Sequence, residues 1–139
     1  MEEVLNNPGK DWFLTTLNTI VNNNVITIGV TIVTHGFIVS GHLTGGREYF
    51  DAVANEFATT LNSSFKIENS FQGLADTIYG SDNPDVKDGP LASEYIHIKN
   101  ARFYNSASEG ILPNNPVWWR GRISEISGFS IGVINDTKE

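Results

Sequence analysis

A chain of 139 residues, 40% apolar, with 9 basic against 16 acidic side chains and no cysteine, has the size of one globular domain. Without cysteine it forms neither a disulfide nor a thiolate metal site, which fits a reducing compartment. The net charge of −7 opposes general attraction to phosphate backbones or anionic lipid, and no run approaches the roughly 20 apolar residues of a membrane-spanning helix.

The opening MEEVLNNPGK is acidic where a secretory leader is basic, so residues 1–10 are expected to be a flexible N-terminus of a cytoplasmic protein. Asp11 is placed to cap a short helix over Trp12 to Val21, with Phe13, Leu17, Ile20 and Val21 at helical spacing. Asn22, Asn23 and Asn24 stop it. Val25 to Val33, VITIGVTIV, is the strongest strand, with Ile26, Ile28, Val30 and Ile32 along one side. Thr34-His35-Gly36 supplies a tight turn, and Phe37 to Thr44 returns to complete a β-hairpin.

Gly45-Gly46 breaks the strand, and Tyr49, Phe50, Val53, Ala54, Phe57, Ala58 and Leu61 then recur at helical spacing over about Arg47 to Leu61. Between residues 62 and 93 the pattern weakens into an acidic loop, in which Phe71, Leu74 and Ile78 allow one more short helix. Glu94 to Tyr104, Val117 to Ile126 and Phe129 to Ile134 complete five strands, with NSASEGILPNNP as the linker between the first two of these.

Glycines inside strands at Gly29, Gly41 and Gly121 point to strong curvature. The expected fold is therefore α+β, with two to three helices on a small, strongly curved five-stranded antiparallel sheet or half-open barrel. Its element order is like that of an Sm-like barrel, an analogy that carries no function. The single globular domain is expected over residues 11–136, followed by a C-terminal tail at 137–139.

Chemistry concentrates in the last strands. At strand period Trp119, Gly121 and Ile123 share an inward face, while Trp118, Arg120 and Arg122 share the other. Pairing with Glu94 to Phe103 sets Tyr95, His97 and Lys99 beside them, on a face that a merely solvated strand would fill with Thr, Lys or Glu. Tyr95, His97, Lys99, Trp118, Arg120 and Arg122 are thus the candidate protein-binding residues. A Trp buried against a partner removes on the order of 150–250 Å² from water, whereas an exposed ion pair gives under about 1 kcal/mol, so Trp118 is expected to supply affinity. The guanidinium groups suit register-setting contacts with carboxylates. The bland alternative is that Trp118 rims the core and the arginines pair with Glu94, Glu125 or Asp51.

Catalytic constellations are not expected. His35, His42 and His97 lie in a turn and on two different strands with no metal-ligand spacing, no Gly-x-Ser-x-Gly elbow occurs, and no cofactor motif is present. Thr44-Gly45-Gly46-Arg47 before a helix allows an anion site without matching a phosphate-loop spacing. The reading from another class is a small β-barrel RNA-binding module that stacks bases on Tyr95 or Trp118 and holds phosphate with Arg120 and Arg122. The net charge and the lack of a sustained Lys/Arg run argue against nucleic acid as the partner.

Gly36 to Gly41 as GFIVSG, Arg47 to Asp51 as REYFD, Tyr95 to Tyr104 as YIHIKNARFY, and WWRGRISEISGFSIG together resemble the U-type gas vesicle accessory proteins, over about residues 11–136. The resemblance implies a non-enzymatic role in vesicle formation or organisation, with shell or other accessory proteins as partners and a cytoplasmic location at the vesicle. Sheet edges left by a curved, unclosed sheet imply a small homo-oligomer.

Overall fold

The computed structural model describes residues 9–61, 67–79, 94–105, 110–111 and 115–134. Helix α1 spans Trp12–Asn23, strands β1 and β2 span Ile28–Thr34 and Phe37–Thr44, and helices α2 and α3 span Gly46–Leu61 and Ile67–Tyr79. Strands β3 (Tyr95–Tyr104), β4 (Gly110–Ile111), β5 (Val117–Arg122) and β6 (Ile126–Ile131) follow, with a 3-10 turn at Ile123–Glu125 between the last two. The fold is α+β, with three helices and five principal antiparallel strands among the described residues.

Asp11 starts α1 as expected: its carboxylate accepts from the backbone N–H of Phe13 at 2.8 Å and of Leu14 at 3.2 Å, satisfying donors that have no partner in the first turn. The buried stripe is Leu14, Leu17 and Val21, so Phe13 and Ile20 lie outside the face the spacing assigned them to. The hairpin turn places His35 at φ 50° and Gly36 at φ 82°, the doubly left-handed geometry that matches strand twist in a two-residue connection.

The strand order is β4-β3-β2-β1-β6, with β5 also on the outer side of β3. β5 and β6 thus belong to opposite edges, yet only Ile123–Glu125 join them. Flat strands about 4.8 Å apart would put those edges about 19 Å from each other, whereas a short 3-10 link spans about 8 Å. The sheet therefore has to roll. Register shifts at Val33/Thr34, Ser40/His42 and Ile98/Ala101 bend it, and at the second a side chain on Gly41 would run into Ile98 and the backbone of Lys99 and Ala101.

Rolling stops short of a closed barrel, because β5 and β6 share no ladder among the described residues. Val117 to Ile126 is not one strand, as its pattern implied: the chain leaves the ladder at Ile123, whose N–H bonds to Glu94 O at 2.9 Å, and β6 begins at Ile126 instead of Phe129. The stretch assigned to a linker contains β4, and the acidic stretch contains α3; the rest of 62–93, residues 1–8 and the C-terminal tail lie outside the described residues.

The core lies inside the roll. Leu14, Leu17 and Val21 of α1 meet Val30, Ile32, Val39, Leu43, Ile96, Ile98, Ala101 and Ile123. Each fully buried side chain of this size removes enough apolar surface to be worth about 1.5–3 kcal/mol before the entropy of ordering it. Helices α2 and α3 pack on the opposite face of the sheet and form a second, smaller core of Phe50, Ala75, Ile78 and Tyr79.

Candidate protein-binding face

The β3–β5 ladder sets Tyr95 opposite Arg122, His97 opposite Arg120 and Ile98 opposite Trp119. Direct partners in an antiparallel pair project to the same side, so Tyr95, His97, Arg120 and Arg122 share the outer face while Trp119 turns inward. The inward Trp119 is half-buried against the main core, with its ring lying over Gly121.

On the outer face, the guanidinium carbon of Arg120 stands 3.8 Å from the Tyr95 ring centre and 5.8 Å from that of Phe50. Arg122 lies 5.9 Å from the same Tyr95 ring and donates a long, 3.4 Å hydrogen bond to its hydroxyl. That bond, reinforced by the positive charge, holds the Tyr95 hydroxyl below the usual phenol range and raises Arg122 in turn. Neither guanidinium makes an ion pair among the described residues, although Glu94 and Glu125 act on Arg122 electrostatically. Tyr95, Arg120 and Arg122 form a cation–aromatic ladder with both arginines exposed.

Towards the other end of the face, Trp118 is half-buried, in edge contact with Tyr49 of α2 at 5.8 Å, and Lys99 Nζ lies 6.0 Å from its ring centre. Lys99 also pairs with Glu48 Oε1 at 3.1 Å. The Thr44 hydroxyl donates to the other oxygen of that carboxylate and, with Lys99, holds Glu48 below the ordinary 4.5 against the opposing effect of burial.

His97 departs from the expected open surface. It is 0% exposed, because Tyr49, Phe50 and Tyr79 of the helix pair close over it with ring centres at 4.6, 6.0 and 5.8 Å. Neither ring nitrogen has a hydrogen-bond partner among the described residues. Burial first, and then the Arg120 charge, push His97 down to about 3, so the imidazole is neutral at pH 7. A partner meeting this face would touch Tyr95, Arg120, Arg122, Lys99 and the open part of Trp118, with His97 beneath.

The suggested anion site at the start of α2 is filled from within the chain. Asn22 Oδ1 accepts from Gly46 N at 2.8 Å, Glu48 occupies the first turn, and Arg47 pairs with Asp76 of α3. His35 Nε2, in the β1–β2 turn, lies 3.3 Å from Glu125 Oε2. No group of three potential metal-ligating side chains converges among the described residues.

A feature that residue spacing did not expose is a groove of about 580 Å³ on the inner side of the roll, walled by Phe37, Val39, Phe103 and Trp119 and rimmed by His35, Arg122 and Glu125. Phe37 and Phe103 come from different strands whose juxtaposition only the β2–β3 register reveals. The signal in the chain was Phe37 itself, on the same side of its strand as Val39, with the structure leaving its ring half exposed.

The family model for gas vesicle protein GvpU-like matches residues 11–134, and the chain belongs to that family. It matches no curated protein and no solved structure. The match covers α1 through the end of β6 and so includes the whole β3–β5 face. No helix among the described residues is long and apolar enough to cross a membrane.

Proposed function

We propose that the chain is a non-enzymatic adaptor that docks on protein components of the gas vesicle, shell or accessory, through the β3–β5 face, and so acts in vesicle assembly or clustering. The family ties the chain to gas vesicles. The observation that supports docking is the ladder of Tyr95, Arg120 and Arg122: two exposed guanidinium groups held in place by a ring and without an ion-pair partner among the described residues, in a chain of net charge −7. Such groups suit bidentate contact with carboxylates of a partner protein, with the Tyr95 ring limiting the rotamer freedom lost on binding. The reading places the protein in the cytoplasm, at the vesicle.

Trp118 supplies the apolar part. Covering about 100 Å² of its remaining open surface at about 25 cal/mol/Å² is worth about 2.5 kcal/mol, somewhat under a hundredfold in affinity. Trp118→Ala is therefore expected to reduce co-flotation of the protein with isolated gas vesicles while its melting midpoint stays within a few degrees of wild type. Normal co-flotation with a collapsed midpoint would make Trp118 a packing residue for Tyr49 and remove it from the face.

Self-association belongs to the same reading. The outer backbone edges of β5 and β6 carry no ladder among the described residues, and Trp12, Phe13 and Ile131 lie exposed beside Phe129 on the β6 side. An open edge flanked by apolar side chains is a template for pairing with another chain. Sedimentation at micromolar concentration is expected to show a small homo-oligomer; a single 15.3 kDa species would remove this part of the proposal.

A further inference from the structure

We propose that His97 is an acid-sensitive latch holding the α2–α3 pair on the sheet, so that acidification releases the pair and uncovers the aromatic face of β3 and β5. The latch stands on the packing of the helix pair and does not depend on which partner the face binds.

The helix pair has its own small core and does not share the one inside the sheet roll. Its described attachment to the sheet is narrow. Tyr49, Phe50 and Tyr79 surround the His97 ring, Tyr49 also meets the edge of Trp118 and Phe50 the Arg120 guanidinium, and Glu48 bonds to Thr44 and Lys99. All three rings meet at His97. Its two nitrogens meet no hydrogen-bond acceptor among the described residues, so a proton added there would create a buried cation that none of the described groups of the site neutralises.

The charged and titratable groups around it work in the same direction or lie outside its range. Arg120 of β5 is a like charge. On β3, Lys99 is a second cation, bound to Glu48, and Tyr95 is engaged with Arg122. From α2, Glu48 is committed to Thr44 and Lys99 and held below 4.5, and Arg47 is committed to Asp76 of α3. Tyr49 and Tyr79 present rings. On β2, Thr44 faces His97 directly, and His42, opposite Lys99, is the other imidazole on this side of the sheet.

The sign follows from linkage. In the docked state His97 binds its proton only near pH 3, whereas once released and solvated it returns towards its ordinary 6.5. Between those values the open state binds the extra proton, so docking is fully present above 6.5 and weakens as pH falls. The open population should rise by up to tenfold for each pH unit in that window. Carboxylates such as Glu48 add their effect only below their ordinary 4.5, which separates the two contributions.

Amide hydrogen exchange on the full chain, corrected for the intrinsic pH dependence of exchange, reads the opening of each segment. Between pH 6.5 and 4.5 the opening constants of α2 and α3 should climb towards tenfold per unit while β1 and β2 keep their protection. His97→Phe, which keeps a ring in the cage and removes the proton site, should flatten that slope. A flat slope in wild type, simultaneous loss of protection in helices and sheet, or an unchanged slope in His97→Phe would each overturn the latch. Should His97→Phe not fold, imidazole NMR of the wild-type protein decides: the latch requires His97 to stay neutral while α2 and α3 are protected. A His97 that titrates near 6.5 with the pair still docked would overturn it.

Discussion

Gly121→Ala should lower stability by about 3 kcal/mol, although it adds a single methyl group to a strand. The six-membered ring of Trp119 lies directly over the Gly121 Cα, and the space a Cβ would take is already occupied by that ring. A shift of a few tenths of an ångström would not clear it, because three ring atoms stand within 2.6 Å of the Cβ position, and the ring is packed against the core. The ring has to swing out, which forfeits its packing and opens the wall of the inner groove.

Overpacking alone costs about 1–3 kcal/mol, and losing a packed Trp about 3–5, so a value near 3 reflects partial relaxation. At roughly 3–4 °C per kcal/mol for a domain of this size, the melting midpoint should fall by about 10 °C. The explanation carries its own control: in a Trp119→Leu background the cost of Gly121→Ala should largely vanish, since the collision partner is gone. Equal losses in both backgrounds, measured by thermal melts, would show that strand propensity and not the ring is responsible.

Much of the local structure was legible because local rules decide it. Asp11 caps because its side chain reaches donors two and three residues on, and the His35-Gly36 turn forms because a Gly accepts positive φ. The shared face of Tyr95, Arg120 and Arg122 followed from period-2 alternation once the two strands were paired. What escaped depends on contacts distant in the chain. Alternation continues through Ile123, so nothing in the spacing marks the point where the chain must leave one edge of a rolled sheet for the other.

His97 alternates with Ile96 and Ile98 and therefore reads as a surface residue; its burial comes from a helix pair some 20 to 50 residues earlier, whose docking site no local pattern encodes. Similarly, the Trp118/Trp119 pair has opposite fates that alternation assigned to opposite faces, but the degree to which Tyr49 shields Trp118 emerges only from the packing of α2. The groove between Phe37 and Phe103 is likewise a product of register.

Reversing both charges, Arg120→Glu with Arg122→Glu, should remove vesicle binding while leaving the fold in place. Both side chains are exposed, and neither has an ion-pair partner among the described residues to lose. The cost to stability comes from the lost contacts with the Tyr95 and Phe50 rings and the Tyr95 hydroxyl and from new repulsion near Glu94 and Glu125, all at the two exposed arginine positions, and is small. The effect on docking is much larger. Each charge-assisted contact with a partner carboxylate is worth about 1.5–3 kcal/mol, and replacing the cations by anions adds repulsion, so affinity should drop by roughly a hundredfold to ten-thousandfold.

Flotation of the purified chain with isolated gas vesicles, for wild type and the double-charge variant side by side, tests the adaptor reading most directly. Wild-type protein should rise with the vesicles while the variant, with an unchanged circular dichroism spectrum, stays behind; a folded variant that floats as tightly as wild type would rule out docking through Arg120 and Arg122.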